Sequence, residues 1–135
     1  MVAKEKISAC PCGSGKAFAD CCGRLIEGSE PAAPAEALMR SRYTAFALGN
    51  EPYLLATWHD STRPASLDLR EQPASKWIGL KVLWHEQQDE THAIVEFIAR
   101  YKVSGRAYKM HETSRFVKED RRWFYVDGDT GNGTP

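Results

Sequence analysis

Apolar residues recur at intervals of three and four in the first half of the chain and at intervals of two in the second half. Leu38, Met39, Tyr43 and Phe46 form one stripe of a helix that starts from Pro34, suited to a first turn, and stops at Gly49. Asn50 can cap a second short helix over residues 51–58, where Pro52 is tolerated in the first turn. A loop over 64–73 then leads to four alternating runs at 77–86, 91–103, 106–118 and 122–127, joined by connections short enough for hairpins. Helices first and a meander after them predict an α+β fold, with the helices covering one face of a curved antiparallel sheet. The chain has no internal repeat.

Alternation also assigns faces. Ile78, Leu80, Val82 and Trp84 of the first strand, and Ala93, Val95, Phe97, Ala99 and Tyr101 of the second, are expected to meet the helices. In the third strand Tyr108, Met110, Glu112, Ser114 and Phe116 share that face, which puts two polar residues in a core-facing row. Arg42 is the same kind of exception, four residues after Leu38 and four before Phe46. An unpaired buried charge is costly, so the economical reading has Arg42 and Glu112 neutralise each other, with Asp127 as a competing partner. Such a group is either a structural ion pair in a packed core or the polar part of a pocket. His85, His92, His111 and Arg115 read as solvated.

The residues ahead of the first helix lack this periodicity and carry all the cysteines, Cys10, Cys12, Cys21 and Cys22. Composition gives them their context. With 18 basic and 18 acidic residues and 42% hydrophobic ones, the chain is globular and lacks the cationic excess needed to grip nucleic-acid phosphate. Residues 1–9 contain no apolar run for a signal peptide or membrane span, so a cytoplasmic location and reduced thiols are expected. Adjacent Cys21 and Cys22 are poor partners for a disulfide, whereas a C-x-C pair and a C-C pair eight residues apart suit one tetrahedral zinc. Gly13 and Gly15 allow the chain reversal that the site needs, and Lys4, Lys6, Lys16 and Arg24 lie near enough to offset its negative charge. Four thiolates close the zinc shell, so the metal is structural rather than catalytic. The spacing around Gly13 and Lys16 does not fit a phosphate loop.

The run Cys10-Pro11-Cys12-Gly13-Ser14-Gly15-Lys16 with a trailing Cys21-Cys22-Gly23 resembles the SEC-C zinc motif of the SecA translocation ATPase. The stretch from Ala37 through Arg40-Ser41-Arg42-Tyr43 to Phe46, with Thr57-Trp58-His59, resembles the YchJ-like family of bacterial proteins, and the likeness covers nearly the whole chain. That resemblance implies a zinc knuckle joined to a nuclear-transport-factor-like cone domain. The small, polar stretch from Glu27 to Ala33, broken by Pro31, sets the boundary near residue 30, giving knuckle and linker over 1–30, cone over 31–128 and a flexible tail over 129–135. Cones of this type often hold a cavity between helices and sheet, which Arg42, Tyr43, Trp58, His59, Glu112 and Ser114 would line. By analogy with the SEC-C module, the expected role is an adaptor that presents its structural zinc knuckle to a protein or ribosomal partner, without membrane insertion. The alternative is a small-molecule or enzymatic pocket in the cone; no residue is assigned a catalytic role.

Overall fold

The structure, a computed structural model, describes residues 9–28, 31–67 and 75–130. A single 3-10 turn, Phe18–Asp20, precedes helices α1 (Cys22–Ile26), α2 (Ala35–Leu48) and α3 (Glu51–Ala56). Strands β1 (Ser75–Gln87), β2 (His92–Val103), β3 (Arg106–Glu119) and β4 (Arg122–Thr130) follow and form one antiparallel sheet in sequence order. Among the described residues no helix is long and apolar enough to cross a membrane.

Local chemistry sets these boundaries. Asn50 Oδ1 accepts the Tyr53 N–H at 3.1 Å and so starts α3. Two hairpins turn on residues with positive φ, Ser104 with Gly105 and Asp120 with Arg121, the conformation whose twist matches the flanking strands. Helix α2 lies over the sheet, where Leu38, Met39 and Tyr43 share one buried cluster with Ala93, Val95, Phe97, Ala99 and Phe116. Helix α3 ends at Ala56 rather than at 58 because the chain joins the sheet there. The Tyr125 N–H bonds Thr57 O at 2.8 Å and the His59 N–H bonds Tyr125 O at 2.7 Å, making a short parallel bridge at Trp58.

Three assignments from alternation change. Strand β1 carries irregularities between Trp77 and Gly79 and between Val82 and Trp84. Each adds a residue that has no partner, and a slip of one residue sends the following side chains to the other face. Trp77, Leu80 and Val82 therefore face the helices, while Ile78 and Trp84 are 45% and 47% exposed. A third irregularity sets Asp127 opposite Arg115, and the Arg115 Nε bonds Asp127 Oδ1 at 2.6 Å on the open face. Asp127 is thus no partner for Arg42. Strand β4 also runs past 128, because Arg115 Nη1 holds Asp129 at 2.9 Å; the expected tail loses residues 129–130 to the sheet, and 131–135 lie outside the described residues. The expected boundary near 30 and most of the loop over 64–73 also lie outside them.

Candidate metal centre and cone cavity

The knuckle is a tight reversal. Gly13 and Gly15 take φ of 81° and 89°, a region that side chains disfavour, and between them the chain turns back on itself. The Cys10 N–H bonds Lys16 O at 2.9 Å and the Gly13 N–H bonds Cys10 O at 3.1 Å, so the first pair is held against the second. All four Sγ atoms lie within 4.8 Å of one another. Cys12 and Cys21 Sγ stand 3.7 Å apart, which matches the edge of about 3.8 Å that a tetrahedron with zinc–sulfur bonds of about 2.3 Å requires. The residues present therefore fit a single metal ion.

Electrostatics agree with that fit. The Cys12 thiol is drawn down to about 4 by its hydrogen bond from Cys22, while that same bond and burial push Cys22 up. Burial raises Cys21 as well. Crowded thiols thus share protons until a cation lets them all ionise. Ser14 Oγ lies 3.2 Å from Cys21 Sγ, and Thr44 Oγ1 of α2 lies 3.7 Å from Cys10 Sγ. Arg40, also on α2, donates from Nη1 to Cys12 O at 3.0 Å.

These contacts dock the knuckle on the domain. Cys10, Cys12 and Cys22 are buried in the same cluster as Leu38 and Val95, with Phe18 and Ile26 packed against it. A Cβ built on Gly13 would lie 3.4 Å from Leu80 O, so the turn touches β1. The four-cysteine cluster, which could hold a metal, is a corner of the core rather than a module on a free tether.

On the far side of Met39 and Tyr43, a cavity of about 250 Å³ opens between α2 and the sheet. Its walls are mainly apolar, from Phe46, Trp77, Phe97, Met110 and Phe116, with Arg42, Glu112, Ser114 and Tyr125 at the polar part. Arg42 is only 6% exposed. Its Nη1 donates to Leu54 O at 2.8 Å and to Thr57 Oγ1 at 2.7 Å, and its guanidinium lies 4.5 Å from the Tyr125 ring and 5.1 Å from the Trp58 ring. Burial pushes Arg42 down to about 10, which leaves it charged at neutral pH. Glu112 Oε2 accepts from Ser114 Oγ at 2.7 Å and from Tyr125 Oη at 3.3 Å. Burial raises the Tyr125 hydroxyl, and Glu112 beside it adds to the shift.

The expected Arg42–Glu112 ion pair is not formed among the described residues. Helix α3 presents a carbonyl and a hydroxyl closer to the guanidinium, and two rings cover it. Arg42, Tyr43, Trp58, Glu112 and Ser114 do line the cavity. His59 does not: its neighbour Trp58 bridges β4 and points inward, so His59 points away, with Nε2 2.9 Å from Glu119 Oε2 and its ring on Phe124. Sequence reasoning missed Tyr125, Thr57, Thr44 and Arg40. The last two were legible in principle, since they repeat along α2 at helical spacing with Ser41 and Tyr43. Tyr125 shares a face with buried Trp123 by plain alternation ahead of the β4 irregularity, so it too was legible in principle. Gly128 was missed too: it faces Glu112, whose Cδ would lie 2.7 Å from a Cβ placed there. The missing side chain leaves room for the carboxylate.

A family model described as YchJ, middle NTF2-like domain, matches residues 34–128, and the SEC-C motif matches residues 8–24. The chain belongs to the YchJ family. Within it, UPF0225 proteins of Chromobacterium violaceum and Cupriavidus metallidurans are 57% and 56% identical over 129 and 126 residues. These alignments cover 93% and 89% of this chain and 95% and 87% of the relatives. A SEC-C motif containing protein from Rhodopseudomonas palustris, solved in solution, superposes with a TM-score of 0.79 at 38% identity, covering 89% of this chain and 96% of that one. A crystal structure of a SEC-C motif containing protein from Psychrobacter arcticus gives 0.76 at 28% identity, covering 96% and 86%. The two matched segments meet between Arg24 and Pro34, yet in this YchJ chain the buried cluster runs across that junction.

Proposed function

We propose that this YchJ-family chain is a zinc-stabilised binding protein of the cytoplasm whose cone holds a small, largely apolar molecule. The cavity beside Arg42 and Glu112 carries this reading. Buried polar groups kept for stability alone need no space next to them, whereas an apolar pocket with a few convergent polar groups is the usual form of a ligand site. Cys10, Cys12, Cys21 and Cys22 would hold the zinc, and a closed four-sulfur shell supplies structure rather than an activated water. Its place in the core supports a role in keeping the N-terminal segment closed on the cone.

Elemental analysis of reduced protein should return about one zinc per chain. Native mass spectrometry of gently purified protein should then show a small-molecule adduct that disappears on denaturation. A metal-free protein with a Cys21–Cys22 disulfide would overturn the zinc assignment, and a cavity that takes up no apolar probe would overturn the binding role.

One observation favours a second reading, the adaptor. Residues 13–16, the turn of the metal site, are exposed, so a protein or ribosomal partner would have access to the backbone and Lys16 beside the metal. Lys16→Glu leaves every sulfur in place. Loss of a defined partner in that variant, with zinc content unchanged, would support the adaptor; retention would leave the knuckle a purely internal clasp.

A further inference from the structure

We infer that the cone cavity selects a neutral ligand with an apolar body of about one ring and a polar end that carries a hydrogen-bond donor beside an acceptor, as in a carboxamide or lactam. This deepens the binding role proposed above and rests on it. The argument starts from the hydrogen bonds the walls have not used. Arg42 commits Nη1 to Leu54 O and Thr57 Oγ1, and among the described residues its Nε and Nη2 make no hydrogen bond. Glu112 receives both of its donors, Ser114 and Tyr125, on Oε2, which leaves Oε1 without one among the described residues. Both side chains line the same space. None of these atoms is sealed from solvent, so one wall offers accessible N–H groups and another an accessible carboxylate oxygen.

Charge narrows the choice. A carboxylate ligand would satisfy Arg42 and confront Glu112, while an ammonium ligand would satisfy Glu112 and confront Arg42. Desolvating either charge beside a like charge is unfavourable in a site this buried. A neutral amide edge serves both walls at once and strands no polar group, and sites built that way discriminate strongly against analogues lacking the matching group. The remaining walls, Met39, Phe46, Trp77, Phe97 and Met110, suit an aromatic or branched aliphatic body. The volume of about 250 Å³ exceeds the roughly 150 Å³ that is enough for benzene in an apolar protein cavity.

Four probes of similar size test this on the full zinc-loaded chain: benzamide, benzoate, benzylamine and toluene. Titration calorimetry measures affinity, and indole NMR signals of Trp58 and Trp77 report binding inside the cavity. Benzamide should bind about tenfold or more tightly than benzoate or benzylamine, because each charged analogue meets one like-charged wall. Glu112→Gln should relax the rejection of benzoate, and Arg42→Met that of benzylamine. Since Arg42→Met removes buried bonds and its fold is at risk, the Glu112→Gln arm suffices alone. If toluene binds but benzamide shows no advantage, or Glu112→Gln leaves the rejection of benzoate intact, the polar-edge inference fails and the binding site stands. If no probe binds, toluene included, the binding role fails and the inference falls with it.

Discussion

The four-cysteine corner and the cone cavity both bring polar or ionisable groups into the interior, and they solve the cost in opposite ways. At the corner, four like ligands come from thirteen consecutive residues, Cys10 to Cys22, and a single cation would neutralise all of them together. In the cavity, Arg42, Glu112, Ser114 and Tyr125 come from α2, β3 and β4, and they satisfy one another only in part. The corner leaves no ligand position open, which is what a structural site requires. The cavity leaves hydrogen-bonding capacity over beside empty space, which is what recognition requires. Completeness therefore separates the corner from the cavity.

The largest expected effect is at the corner. A structural zinc contributes on the order of 10 kcal/mol to folding, against a net domain stability of about 5–15 kcal/mol. Chelation, or Cys22→Ser at a fully buried position, should therefore collapse the cooperative unfolding transition followed by circular dichroism, including the signal from the sheet. Deleting residues 1–30 should act similarly, since Cys10, Cys12, Cys22, Phe18 and Ile26 would leave the shared core. A cone that keeps its melting midpoint after either treatment would show that corner and cavity are independent units.

A middle-sized effect is expected where the backbone makes room for the cavity's carboxylate. Gly128→Ala would push the Glu112 side chain aside and disturb its bonds to Ser114 and Tyr125, a loss of about 0.5–1.5 kcal/mol. In a Glu112→Ala background the same substitution should cost little in urea unfolding. Equal penalties in the two backgrounds would place the loss elsewhere.

The smallest effect concerns coupling between the two charges. Arg42→Met should cost about 1–3 kcal/mol for the stranded Leu54 carbonyl and Thr57 hydroxyl, whereas Glu112→Gln should be mild. Because no ion pair joins them and they are linked only through Tyr125, the double variant should show a coupling of no more than about 1 kcal/mol. A coupling energy well above that in a double-mutant cycle would mean that the charges act as a pair, and the cavity's unused hydrogen-bonding capacity would be smaller than described.

What the sequence by itself determined was whatever depends on neighbours in the chain. The cysteine spacing, the stripe from Leu38 to Phe46, the Asn50 cap and the hairpin positions were legible because each rests on local geometry that a few consecutive residues impose. The polar intruders Arg42, Glu112 and Ser114 were legible for the same reason, as breaks in a local period. Tertiary structure decided who meets whom. Three strand irregularities, none marked by a residue that demands one, moved Ile78 and Trp84 out of the core and Asp127 to the open face. A single unpaired residue reverses every later side chain, and its cost is settled by cross-strand packing rather than by the strand's own composition. Likewise the partners of Arg42 followed from where α3 and β4 cross, at Thr57 and Tyr125, and the docking of the knuckle followed from Thr44, Arg40 and Leu80 meeting it. Contacts between residues dozens of positions apart are chosen by the shape of the whole core, which no local pattern records.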